Sequence, residues 1–334
     1  MYSVCSVVND KNIFLIVHRG ALGDFIMTWP SLLALKEKFS DSHFILIGRP
    51  EYAKFAVKKG IIDSFISADS ASMTDFFEGA ALPRQFPENI TSAVLWLQEP
   101  GKIENLLRGK FSANIISIRP FKDIETLVAE HYCSLIKDFF GLPCGKSISD
   151  YLPRRVGTGT EYIAIHPGSG GQKKNMSPSF FKNLAQELGK RFNMKIVFIM
   201  GPVEIESGLS AKFADFEINY HSAEQKGIGI SSACGRPAIS PLDPDPVQPG
   251  VILCRNLDEL EEVLSNATLY IGNDSGASHF ASFIGIPTIA IYKSGATNPA
   301  LWGTFGKRSL NILAEDENSA MEKILKSANS MNIY

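Results

Sequence analysis

The chain has 334 residues, 45% of them hydrophobic and 20% charged, and a formal net charge of −2. That length suits two domains with real cores, and so balanced a charge lacks the basic footprint of a nucleic-acid binder. The five cysteines (Cys5, Cys133, Cys144, Cys234 and Cys254) are scattered and form no CxxC pair. They argue against a zinc site or disulfide framework and for a reducing compartment.

No apolar run approaches the roughly 20 residues of a membrane span, and the first residues carry no basic-apolar-small leader. A cytoplasmic protein is expected, with peripheral contact to a membrane left open.

The first half alternates strand and helix signals. Residues 13–17 are apolar throughout, as in a strand buried on both faces. Gly20-Ala21-Leu22-Gly23-Asp24 turns the chain into a helical pattern over 25–39, and 44–47 is a second strand. A helix over 51–59 ends at Gly60. Further strands are expected at 61–66, 94–97 and 115–118, then a helix over 124–140 stopped by Gly141 and Pro143.

Residues 150–160 are rich in Pro, Gly and Thr and lack periodicity, which marks a linker. The alternation then restarts with a strand at 162–165, a Gly-rich loop at 166–174, a helix over 178–192 and a strand at 195–200. GPVE (201–204) opens another helix. Residues 219–250 read as a surface insertion. A helix over 257–265 leads into a strand ending at Ile271, followed by the turn Gly272-Asn273-Asp274-Ser275-Gly276. A helix carrying His279, Phe280, Phe283 and Ile284 comes next, then a strand over 287–291. Residues 317–330 form a terminal helix, a candidate to pack back on the first domain. Two doubly wound, Rossmann-like α/β domains are therefore expected, 1–155 and 156–334, facing each other across a central cleft.

Four stretches at strand ends carry candidate chemistry. In GALGD the glycines allow a tight turn and place Asp24 at a helix start. There it is either a general base or an ordinary N-cap. HPGSGGQKK (166–174) is either a phosphate cradle, with Ser169 and Gly170 in the loop and Lys173 or Lys174 to neutralise a diphosphate, or a flexible loop with solvated lysines. It matches neither the P-loop nor the dinucleotide fingerprint. Glu204 stands where an acidic residue often accepts hydrogen bonds from a ribose in doubly wound folds, and a solvated first-turn Glu is the equal alternative. Finally, Asn273, Asp274, Ser275 and Gly276 with His279 place more polar groups on one turn than a helix cap requires. A helix N-terminus there suits a phosphate or pyrophosphate.

Taken jointly, GALGD (20–24), HPGSG (166–170) with Lys174, and GNDSGASH (272–279) resemble glycosyltransferase family 9, the ADP-heptose:lipopolysaccharide heptosyltransferases. Gly285-Ile286-Pro287-Thr288 and Asn298-Pro299 with Trp302 extend the resemblance. Met176-Ser177 stands where the family usually reads Trp-Pro, and residues 293–299 replace its usual GPTDP loop. The resemblance implies a GT-B fold with an N-terminal acceptor domain and a C-terminal nucleotide-sugar domain. It further implies Asp24 as the base of an inverting transfer, with Lys174, Glu204, Asp274 and His279 around the donor. No metal and no cofactor are expected beyond the donor substrate, a nucleotide sugar such as ADP-heptose.

Arg49, Arg84, Arg119 and Lys122 are candidates to meet an anionic glycolipid acceptor, with solvated surface charge the competing role for each. Another nucleotide-sugar transferase for surface glycans and a catalytically silent nucleotide-sugar-binding protein are the competing readings. A nicotinamide dehydrogenase fits least, since the dinucleotide fingerprint is missing.

Overall fold

The computed structural model describes residues 12–84, 86–120, 124–143, 146–153, 162–220 and 249–331. The chain divides between Leu152 and Pro153 into two compact units, each built on its own parallel sheet.

In the first unit β1 (Ile13–His18), β2 (His43–Gly48), β3 (Ser64–Ser67), β4 (Ile90–Trp96) and β5 (Asn114–Ile118) alternate with helices. These are α1 (Leu22–Lys38), α2 (Pro50–Lys58), α3 (Thr74–Phe77), α4 (Gly101–Arg108) and α5 (Val128–Phe140). The strand order is β3-β2-β1-β4-β5, with every pairing parallel. It reverses direction between β1 and β4, and a sheet opens a crevice beyond its carboxyl edge at such a switch point.

Strand β1 is buried along its whole length, as its unbroken apolar run requires of a strand covered on both faces. One face packs Ile13, Leu15 and Val17 with Ile45, Ile47, Ala93 and Leu95. On the other, Phe14 stacks on Phe44 at 4.7 Å and meets Phe39 and Phe140.

The second unit contains β6 (Tyr162–His166), α6 (Pro178–Phe192), β7 (Lys195–Met200), α7 (Pro202–Glu206), β8 (Glu217–Tyr220) and β9 (Gly250–Leu253). It continues with α8 (Leu257–Ser265), β10 (Ala267–Asn273), α9 (Gly276–Phe283), β11 (Thr288–Lys293), α10 (Pro299–Trp302), β12 (Ser309–Ala314) and α11 (Glu317–Ser330). The order β12-β11-β10-β6-β7-β9-β8 places its switch point between β6 and β10.

Side-chain caps fix several helix starts here. Ser177 accepts from Phe180, Asn256 from Glu259, Ser275 from Ser278 and Asp316 from Ser319. Asn193, in the left-handed region at φ 50°, ends α6. Helix α11 lies on β11, β12 and α6 of its own unit, burying Ala320, Ile324 and Ala328 in that core.

Several elements depart from expectation. Helix α1 starts at Leu22, inside GALGD. The apolar pair Ile61-Ile62 is no strand: Gly60, at φ 68°, ends α2, and the N–H groups of Ile61 and Ile62 return to the Ala56 carbonyl. Their burial is a helix-end hydrophobic contact, and β3 begins only at Ser64. Helix α4 and strand β12 were not expected. The flanks of the 219–250 segment are β8 and β9, paired parallel with each other, while 221–248 lies outside the described residues.

Candidate active site

In the second unit the functional side chains stand at the carboxyl ends of β6, β7 and β10, on either side of the switch point. Asn273 closes β10 and is fully buried. Its Nδ2 donates to the Pro167 carbonyl at 2.8 Å, and its Oδ1 accepts from the Met176 N–H at 3.2 Å. One amide thus ties the HPGSG loop and the start of α6 to β10. Ser169 is held on that loop by Asn175, Oγ to Oδ1 at 2.6 Å. Gly170 is exposed with open space around its Cα.

Asp274, 5% exposed, accepts from Lys174 Nζ at 2.8 Å and lies 3.9 Å from His279 Nε2. Burial pushes its carboxyl up. The nearby His279 imidazole, together with the Lys174 hydrogen bond and charge, outweighs that and holds it at about 2. The Lys174 side chain stays 40% exposed, so its ammonium can still meet a ligand. Lys173 is exposed and makes no such contact among the described residues.

Ser275 is the N-cap of α9, with its side chain accepting from the Ser278 N–H at 3.3 Å. Gly276 opens the helix. The N–H groups of Gly276 and Ala277 have no intrahelical carbonyl to meet, so with Lys174 they offer a positive site for an anion. His279 is 2% exposed, and its Nδ1 has no hydrogen-bond partner among the described residues.

Glu204 is the third residue of α7, and its Oε2 accepts from the Gly201 N–H at 2.8 Å. His166 Nε2 stands 3.5 Å from the same oxygen. Burial raises the Glu204 carboxyl, while the His166 hydrogen bond and charge and the Gly201 N–H bring it below its ordinary value. The carboxylate lies against Gly168, where any Cβ would collide with it. The third residue of HPGSG is therefore a glycine for reasons of space, and that contact joins Glu204 to the loop carrying Ser169 and Gly170.

In the first unit Asp24 is not the N-cap but the third residue of α1. Ala21 is the cap residue, and the Asp24 carboxylate reaches back to its N–H at 3.3 Å. It lines a cavity of about 360 Å³ with His18, Arg19, Gly20, Arg49, Asp69, Trp96 and Tyr132 among its walls. These residues follow or end β1, β2, β3 and β4, apart from Tyr132, which comes from α5. Burial, and secondly Arg49, drive the His18 imidazole down to about 3, so it is neutral at neutral pH. Burial and the Asp24 carboxylate raise the Tyr132 phenol well above its usual range.

Of the basic candidates, Arg49 lines this cavity and donates from Nε to the Arg19 carbonyl at 3.3 Å. Arg84 and Arg119 are exposed and are not among its lining residues, although Arg119 directly follows β5. Lys122 lies outside the described residues. Sequence reasoning missed His18, Arg19, Trp96, Tyr132 and His166. The signal that could have found His18 and His166 is a polar side chain at the last position of a strand otherwise free of charged or small polar residues. Trp96 ends a strand that also carries Thr91 and Ser92 and gave no such signal.

Residues 249–331 match glycosyltransferase family 9 (heptosyltransferase). A lipooligosaccharide heptosyltransferase 2 of Campylobacter jejuni subsp. jejuni serotype O:2 is 23% identical over 293 residues, covering 81% of this chain and 77% of the relative. Among solved structures, a glycosyl transferase family 9 protein from Veillonella parvula DSM 2008 superposes with a TM-score of 0.67 at 18% identity. That match covers 99% of this chain and 95% of the other. The E. coli heptosyltransferase WaaC with ADP gives 0.61 at 16% identity, covering 94% and 99%. The structural likeness is one of fold: two doubly wound parallel-sheet domains of the GT-B type.

Proposed function

We propose that this chain, which belongs to glycosyltransferase family 9, transfers a heptose from ADP-heptose to a lipopolysaccharide inner-core or related glycolipid acceptor, with Asp24 as general base. The observation that carries the reading is the cluster at the β6/β10 switch point. Lys174, the first turn of α9 and the Glu204 carboxylate stand there together, held by Asn273 and Gly168. Such a set matches a nucleoside diphosphate: a cation and helix N–H groups for the phosphates, and a buried carboxylate to accept from the ribose hydroxyls.

The first unit supplies the base. Asp24 takes the proton of an acceptor hydroxyl, and that oxygen attacks the anomeric carbon from the face opposite the ADP. The glycosidic bond to ADP breaks and the configuration inverts. Negative charge grows on the departing diphosphate, where Lys174 and the α9 N-terminus stabilise it. With fixed positive groups in that place, the reaction is proposed to need no metal ion. Among the described residues no helix is long and apolar enough to cross a membrane, and a cytoplasmic enzyme reaching its glycolipid from the membrane surface fits this substrate pair.

The test is turnover of ADP-heptose with a panel of truncated core glycolipids, with and without EDTA, for the wild type and Asp24→Asn. Wild-type transfer unaffected by EDTA is expected. Asp24→Asn should lose turnover while keeping its ADP affinity by calorimetry. Persisting turnover in that variant removes Asp24 as base, and binding of UDP in preference to ADP removes ADP-heptose as donor.

A further inference from the structure

The cavity beside Asp24 is lined by a tryptophan whose buried indole N–H finds no partner among the described residues. Trp96 is the last residue of β4, in register with His18 at the end of β1 and with Ile118 at the end of β5. Register partners in a parallel sheet project to the same face, so the indole leaves the sheet beside His18 at the switch point. Its ring packs against Tyr132 with centroids 6.0 Å apart, and the residue is only 2% exposed. Yet the indole N–H has no hydrogen-bond partner among the described residues, although Trp96 lines the cavity that Asp24 also lines.

A buried donor left unmatched is costly, and native folds rarely keep one without a use. Phenylalanine would fill the same space against Tyr132 with no donor to satisfy. Indole N–H can only donate, so its complement is an oxygen lone pair. The rest of the lining narrows the guest. Asp24 and Asp69 carry carboxylates, Arg19 and Arg49 guanidinium groups, Tyr132 a hydroxyl and His18 an imidazole. A wall of mixed donors and acceptors around one aromatic pair fits a polyhydroxylated sugar ring better than a lipid chain or a purely anionic group.

We propose that Trp96 is a specificity-determining residue for the acceptor, donating its indole N–H to an oxygen of the acceptor sugar and so presenting a neighbouring hydroxyl to Asp24. The proposal rests on the assignment of Asp24 as base, and its test separates the two.

The protein has three tryptophans, Trp29, Trp96 and Trp302. ¹⁵N-indole labelling therefore gives three signals, assignable by single Trp→Phe replacements at any two positions. The full chain is titrated with lipid-free core oligosaccharide from truncated lipooligosaccharide, in the wild type and in Asp24→Asn. The Trp96 signal should move downfield and saturate in both. In kinetics, Trp96→Phe should raise the acceptor KM about tenfold, the scale of one hydrogen bond left unmade. The donor KM and ADP affinity should stay at wild-type values.

A Trp96 signal that does not move on titration overturns the proposal, as does an acceptor KM in Trp96→Phe within about twofold of wild type. Turnover by Asp24→Asn would instead overturn the base assignment, while the Trp96 shift would still report acceptor contact. Should Trp96→Phe fail to fold, the wild-type titration decides alone, with Trp29→Phe and Trp302→Phe giving the assignment.

Discussion

Replacing Asp274 by Asn should remove a pH-dependent part of the stability of the second unit. In the folded protein the Asp274 carboxyl is held at about 2, against an ordinary value of 3.8, because Lys174 and His279 outweigh its burial. At about 1.4 kcal/mol per pK unit, that depression is worth about 2 kcal/mol of stability. The sign follows from linkage: the unfolded carboxyl protonates first, so the contribution is complete above pH 3.8 and is lost as pH falls through about 2. Asn fills the same space without the charge, and Lys174, 40% exposed, can turn to solvent.

Urea unfolding of wild type and Asp274→Asn from pH 7 down to pH 2.5 measures the difference. The wild type should lead by about 2 kcal/mol at pH 7, with the gap narrowing below pH 4. A gap that holds constant down to pH 2.5 would refute the argument, because the cost would then come from packing and not from the carboxylate's charge.

Three further outcomes are expected. Gly168→Ala sets a methyl against the Glu204 carboxylate and should break its bond to the Gly201 N–H. ADP affinity by calorimetry should fall about tenfold, and an unchanged affinity would remove Glu204 from the donor site. Asn273→Ala leaves the Pro167 carbonyl and the Met176 N–H without their buried partner. A loss of about 2–4 kcal/mol in urea unfolding should follow, and less than about 1 kcal/mol would show the bridge to be dispensable. His18 titrates near 3 when folded and near 6.5 when unfolded, so its neutral burial costs no stability above pH 6.5 and progressively more as pH drops toward 3. His18→Gln should flatten the fall of Tm between pH 7 and pH 4, and identical slopes would contradict this.

The sequence by itself determined the class of the fold and the chain positions of its motifs. Residues 13–17 are apolar without interruption, which a strand covered on both faces requires, and α6, α8 and α11 begin at caps that local chemistry names. GALGD, HPGSG, GPVE and NDSG each follow a strand, so their places at carboxyl edges were legible from periodicity alone.

What each residue touches was not legible. Nothing local shows that Asn273 bridges Pro167 and Met176, about a hundred residues away in sequence, or that Gly168 is small because Glu204 lies against it. Nor does it show that Asp24 sits at the third position of α1, in a cavity also lined by a neutral His18 and by Trp96, whose N–H has no partner among the described residues. Strand β12 has mixed burial and gave no apolar run, and Ile61-Ile62 imitated a strand while closing a helix.

The physical reason is the same throughout. Periodicity and capping are interactions between near neighbours in the chain, readable from one segment. Register and strand order bring distant segments together, and only they place His18 beside Trp96 and Asn273 beside the HPGSG loop.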